Sequence, residues 1–172
     1  MAGARYHANV HNIYLGLGSN LGDRLGNLKN AIQALEERLS IAKKSSVYES
    51  LPHGVGEQPR YLNMVIHAMS DMPPRQLLAL AKKIEQDMGR LPHTHERPRP
   101  IDIDILLYGD HIYKDDDLVI PHPRAHERAF VLVPLEEIAS FDFHPIHKKP
   151  FIDMLDELGG YDHLVWRSDE QL

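Results

Sequence analysis

Ile101-Asp102-Ile103-Asp104-Ile105 alternates between apolar and acidic residues without a break. A period of two is the mark of a strand, where successive side chains point to opposite faces. Ile101, Ile103 and Ile105 therefore belong to one face and Asp102 and Asp104 to the other, about 6.6–6.8 Å apart along the strand. The strand runs to Tyr108 and stops at a Gly109-Asp110 turn. Just upstream, Leu91 to Pro100 contains Pro92, Pro98 and Pro100, so this segment reads as an irregular loop.

Elements on either side follow the same logic. Asp71-Met72-Pro73-Pro74 opens a helix that carries Leu77, Leu78, Ala81, Ile84 and Met88 on one side and stops at Gly89. Tyr61 to Met69 reads as a strand, Ile41 to Ser50 as another, and the Gly/Pro-rich Pro52 to Pro59 as the loop between them. Leu25, Leu28, Ile32, Leu35 and Leu39 recur at helical steps. Before them, His11 to Gly16 reads as a strand with Ile13 and Leu15 on one face, ending in a turn from Gly16 to Asp23. His122 to Phe130 is polar and expected to be irregular, and two short helices are expected near Leu135–Ala139 and Phe151–Leu158. The order βαββαβ predicts an α+β sandwich on a mostly antiparallel sheet.

The chain has 172 residues, 42% hydrophobic and 26% charged, which suits one globular domain. It has no cysteine, which excludes thiol catalysis, Cys-ligated zinc, iron–sulfur clusters and a disulfide scaffold. No apolar leader or membrane-length run is present, so a cytoplasmic location is expected. Nineteen Lys and Arg against 25 Asp and Glu give −6, which argues against nucleic acid and anionic membrane as partners. Arg75 to Arg99 is nonetheless locally basic, six against three, while Leu135 to Leu172 has nine acidic residues and three basic ones. A cationic segment in an acidic protein fits a small anionic ligand.

Two carboxylates sharing a strand face repel one another unless a cation lies between them. Their hard oxygens suit Mg²⁺, and a pair of ions could be served. The plainer reading, a polar strand face turned to water, weakens beside Arg90, Arg97 and Arg99, since guanidinium groups grip phosphate through paired N–H bonds. The glycine-rich segment has Leu21 where a dinucleotide fingerprint needs its third Gly, and no Gly-Lys pair exists for a Walker A loop. Tyr61 and Asn63 offer a stacking face and a donor–acceptor pair to a heteroaromatic ring. Pro121 and Pro123 keep His122 and His126 from forming a helical metal pair.

Gly16-Leu17-Gly18-Ser19-Asn20-Leu21-Gly22, Tyr61-Leu62-Asn63, Glu85 to Arg90, Pro98 to Leu106, Pro121-His122, Arg128-Ala129-Phe130 and Pro134-Leu135 together resemble the 6-hydroxymethyl-7,8-dihydropterin pyrophosphokinase family. The likeness runs from about Asn12 to Ala139 and leaves residues 1–11 as an N-terminal extension to a single pyrophosphokinase domain over 12–172. It implies a ferredoxin-like fold, a three-layer α/β/α sandwich, and one-step transfer of diphosphate from ATP to the pterin hydroxymethyl group, releasing AMP. It implies that Asp102 and Asp104 bind two Mg²⁺ and that Arg90 and Arg99, with them, are catalytic. ATP would be held by Glu85, Arg90, Arg99, Ile105, His122 and Arg128. The pterin would stack between Tyr61 and Phe130, read by Asn63, Gly18 and the stretch Ser50, Leu51, His53 and Gly54.

The chain departs from the family pattern at Glu96-Arg97-Pro98-Arg99, where Arg97 stands in place of a usual Gly and the loop is one residue short, and at Lys82, a Gln in some members. Two other functions are set against this one: a metal-dependent phosphohydrolase using both aspartates and a histidine, and a noncatalytic nucleotide-binding module. A monomeric, monofunctional protein acting on small molecules is expected.

Overall fold

A computed structural model describes residues 9–52, 57–92 and 97–172. Strands β1 (His11–Ser19), β2 (Ser40–Lys44), β3 (Tyr48–Ser50), β4 (Tyr61–Ser70), β5 (Asp102–Tyr108) and β8 (Val165–Arg167) form one sheet. Its order is β5-β1-β4-β3-β8, with β2 also beside β4, and every pairing is antiparallel. Strands β6 (Tyr113–Lys114) and β7 (Val119–Ile120) make a separate ribbon.

Helices cover both faces of the sheet. On one side α1 (Arg24–Glu36) and α2 (Pro74–Asp87) bury Leu28, Ile32, Leu35, Leu77 and Ile84 against Ile13, Leu15, Met64 and Ile103. On the other, α3 (Ala129–Ala139) and α4 (Phe151–Leu158) bury Leu132, Leu135 and Phe151 against Tyr14, Val65 and Leu106. This is the expected α+β, ferredoxin-like three-layer sandwich. Burying a leucine or isoleucine contributes roughly 1.5–3 kcal/mol, so the two apolar layers, rather than helix propensity, hold the helices in place.

Three boundaries differ from the sequence reading, each for a tertiary reason. The turn expected from Gly16 is strand as far as Ser19, because Gly16 and Gly18 are paired on both sides, to Val65 and Asn63 in β4 and to Asp104 and Asp102 in β5. Those ladder bonds outweigh the poor strand propensity of glycine, and the chain turns only near Gly22, at φ 69°. The single strand expected over Ile41 to Ser50 breaks at 45–47, where the Ser45 hydroxyl accepts from the Val65 N–H (2.9 Å). Gln171 closes the break, its Oε1 accepting from the Val47 N–H at 2.8 Å and its Nε2 donating to the Val47 carbonyl at 3.0 Å.

The third difference is α3. It starts at Ala129 instead of near Leu135 and carries Pro134 in its interior. Proline in a helix interior costs about 3 kcal/mol, here offset by Val131, Leu132 and Leu135, all buried in the second core. Strands β6, β7 and β8 are two or three residues long, too short to show a period. Among the described residues no helix is long and apolar enough to cross a membrane.

Candidate active site

The two glycines of β1 form the floor of a cavity of about 560 Å³ between the sheet and the start of α3. A Cβ on Gly18 would stand 3.4 Å from Asn63 Oδ1 and 3.6 Å from the Tyr61 ring, and one on Gly16 would press on Leu106 at 3.4 Å. Glycine thus keeps the floor low between the two strands that carry the polar groups. From β5 come Asp102 and Asp104, from β4 Tyr61 and Asn63, and from β3 and its end Ser50 and Leu51. Lys82 and the loop residues Arg90 and Arg99 close one side, and His122, Arg124, Arg128 and Phe130 the other.

The structure brings together most of the residues expected at the site. Arg97 is exposed and not part of the lining. Ile105 also stays out of it, its side chain packed in the α1/α2 core on the opposite face of β5. Glu85 lies behind the wall, 3% exposed: Oε1 accepts from the Ile103 N–H (2.8 Å) and pairs with Arg90 (2.6 Å), and Oε2 pairs with Lys82 (3.1 Å). It ties α2 to β5 and holds Arg90 in position. His53 and Gly54 lie outside the described residues, as do His95 and Glu96 of the loop.

Both oxygens of Asp102 are engaged, one by Arg90 and one by Arg99. Asp104 has a raised pKa, first from burial and then from the neighbouring Asp102 charge, with Arg128, Lys82 and Arg90 pulling the other way. Two hard carboxylates on one strand face, one of them paying for its charge, fit Mg²⁺, which is held by one or two carboxylates with phosphate oxygens and water completing its shell. Among the described residues no histidine joins them in a metal-binding group of three or more.

His122 is pushed down to about 4 by burial first and by Arg128 second. Its Nδ1 accepts the Arg124 N–H at 3.2 Å, so the neutral ring carries its proton on Nε2. Arg99 stands over the Tyr61 ring, 5.6 Å from its centroid, and Arg128 over Phe130, at 5.7 Å. Asn63 Nδ2 donates to the Ser50 hydroxyl at 2.8 Å.

Two contributors escaped the sequence reading. Asn20, 1% exposed, accepts the Arg99 N–H on Oδ1 (2.9 Å), while its own N–H donates to the Arg99 carbonyl (3.2 Å). The Gly18-Ser19-Asn20 segment therefore fixes the backbone of a catalytic candidate 79 residues away. Arg124 enters the cavity from the turn before the short 3₁₀ segment Ala125–Glu127. Neither has a local pattern that marks it.

The buried histidines make stability depend on pH. His144, 3% exposed, is lowered to about 4, mainly by burial and then by His147 and His126. With folded-state values of about 4 against 6.5 for a free ring, His122 and His144 leave the unfolded chain binding more protons between those limits. Stability therefore falls as pH drops through that window, while the raised Asp104 acts in the opposite sense. We expect Tm to fall by roughly 5–10 °C from pH 7 to pH 4.5; a flat Tm there would show that the rings accept protons in the folded state.

Residues 14–140 match the family model described as 7,8-dihydro-6-hydroxymethylpterin-pyrophosphokinase (HPPK). A 2-amino-4-hydroxy-6-hydroxymethyldihydropteridine pyrophosphokinase of Aquifex aeolicus is 46% identical over 138 residues, 80% of this chain and 86% of that protein. The Bacillus subtilis protein of the same name is 40% identical over 127 residues, 73% of this chain and 76% of that one. Among solved structures, Plasmodium falciparum HPPK-DHPS with pteroate superposes with a TM-score of 0.76 at 14% identity, a likeness of fold. That match covers 97% of this chain, which spans 49% of the Plasmodium chain.

Proposed function

This chain belongs to the 7,8-dihydro-6-hydroxymethylpterin-pyrophosphokinase family, and from that premise we propose that the cavity between β1, β4, β5 and α3 is where it works. The enzyme is an ATP-dependent diphosphotransferase of folate biosynthesis. It moves diphosphate from ATP to the hydroxymethyl group of 6-hydroxymethyl-7,8-dihydropterin, giving AMP and the pterin diphosphate. The observation that carries the assignment is that one cavity unites a carboxylate pair, four Arg and one Lys, and Tyr61, Asn63 and Phe130.

In this reading the hydroxymethyl oxygen attacks the β-phosphorus and loses its proton to water, the bond from that phosphorus to the oxygen of the α-phosphate breaks, and AMP leaves with that oxygen and the bond's electron pair. Asp102 and Asp104 would hold the two Mg²⁺. When bound, the metal offsets phosphate charge and fixes the line of attack. Arg90 and Arg99, which pair with Asp102, turn to the phosphates as the nucleotide arrives. Glu85 keeps Arg90 within reach, and Asn20 does the same for the Arg99 backbone.

His122 donates from Nε2 and Arg128 supplies charge from the facing wall. The pterin lies against Tyr61 and Phe130, and Asn63 offers it Oδ1 and its remaining N–H while Ser50 orients the amide. Gly18 leaves the ring room to lie flat. Ser50 and Leu51 complete the pterin side, and the nucleotide meets Glu85 and Ile105 only through what these residues position.

A single domain over residues 12–172, working as a cytoplasmic monomer, completes the proposal. It is supported by the cysteine-free composition and by the continuity of the two cores across the sheet. The test is a product assay with Mg²⁺, ATP and 6-hydroxymethyl-7,8-dihydropterin that separates AMP from ADP and phosphate. We expect one AMP per pterin diphosphate and no AMP without pterin. Phosphate or ADP released regardless of pterin would favour a hydrolase.

A further inference from the structure

Arg124 and Arg128 approach the cavity from the same wall, four residues apart across the Ala125–Glu127 turn. Their charges are close: the proton affinity of Arg128 is lowered first by burial and next by the Arg124 charge, which also bears on His122. Arg128 Nε is buried without a hydrogen-bond partner, an arrangement that costs stability unless something accepts from it. The ion-pair partner of Arg124 among the described residues is Glu127, at 3.7 Å, too far for a hydrogen bond, and both side chains are 56% exposed. Two guanidinium groups lining one polar cavity, one of them with a buried N–H to satisfy, describe a site shaped for a multiply charged oxyanion.

We propose that Arg124 is a further substrate-binding residue, pairing with Arg128 to hold the polyphosphate end of the nucleotide on the wall opposite Arg90 and Arg99. This rests on the reading of the cavity as the ATP site. The oxyanion accepts from both guanidinium groups, so their mutual repulsion becomes a shared attraction, and the buried Arg128 N–H gains a partner. Arg124 starts half-exposed and loosely held, so it can swing to the phosphates without breaking a packed contact. The backbone N–H of Arg124 holds the His122 ring in any variant, which separates the charge of the side chain from the tautomer of the histidine.

The experiment compares α,β-methylene-ATP with AMP by calorimetric titration in the presence of Mg²⁺, on the whole chain and on R124A and R124K. R124A is expected to weaken the triphosphate analogue about tenfold and AMP less than twofold, with R124K recovering most of the loss. Its KM for ATP should rise by a similar factor with kcat changed by less than about threefold. Tm should be unchanged, because the side chain is not packed in either core. Equal losses for analogue and AMP, or no loss for either, would overturn the assignment. A wild-type chain that binds no triphosphate analogue would instead overturn the nucleotide reading of the cavity, and the role of Arg124 with it.

Discussion

Replacing Asp104 by alanine should lower kcat by about three orders of magnitude or more while leaving the folded protein as stable as before. The two halves of this expectation come from one observation. Asp104 is half-buried beside Asp102, and its desolvation and that neighbouring charge both raise its pKa. Its charge is therefore a burden on the fold, and its removal relieves a like-charge contact. In the proposed site it would supply half of the carboxylate pair that holds the metal. Pterin binding, which the proposal assigns to Tyr61, Asn63 and Phe130, should change less than about threefold, measured by titration with Mg²⁺ and a nonreactive ATP analogue. Near-normal turnover at saturating MgATP would remove Asp104 from the metal site. A large drop in Tm would show that the folded chain needs its carboxylate for structure.

Arg99 leads to a different pattern. Its guanidinium sits at the junction of the two substrate areas, on Asp102 at one end and over the Tyr61 ring at the other. A cation there meets the phosphorus under attack more closely than it meets the rest of the nucleotide. R99A should therefore slow the chemical step about a thousandfold, read in a single turnover, and weaken ATP analogue binding by no more than about tenfold. R99K should recover only part of the rate, since an ammonium lacks the planar fork that spans two oxygens. Equal losses in rate and affinity would make Arg99 an ordinary ground-state ligand of the phosphates.

What could be read from the sequence was what is written within a few consecutive residues. The Ile/Asp alternation of β5 gave the strand, its buried face and its acidic face together, and Arg99 was close enough to be read with it. The α2 stripe and the helix at Phe151–Leu158 were legible because their apolar spacing is regular. Features created by distant pairing were not. Asn20 clamps Arg99 across 79 positions, and Glu85 reaches Ile103 across 18, with nothing local to announce either. Gly16 and Gly18 suggest a turn until their strand partners are known, and Pro134 suggests a helix start until the core around α3 is known. Ile105, which the family likeness assigns to the ATP site, has its side chain on the other face of the strand, where the alternation sends it.

The grip of Gln171 on both backbone groups of Val47 has a practical side for anyone who handles this protein. The last turn of the chain is a fastening for the middle of the sheet, next to the strand that ends at Ser50 and the pterin recess. An affinity handle joined directly after Leu172 pulls on that fastening, and a stop codon placed three residues early removes it, leaving the Val47 N–H without that acceptor. A short flexible spacer before any C-terminal handle keeps the fastening closed.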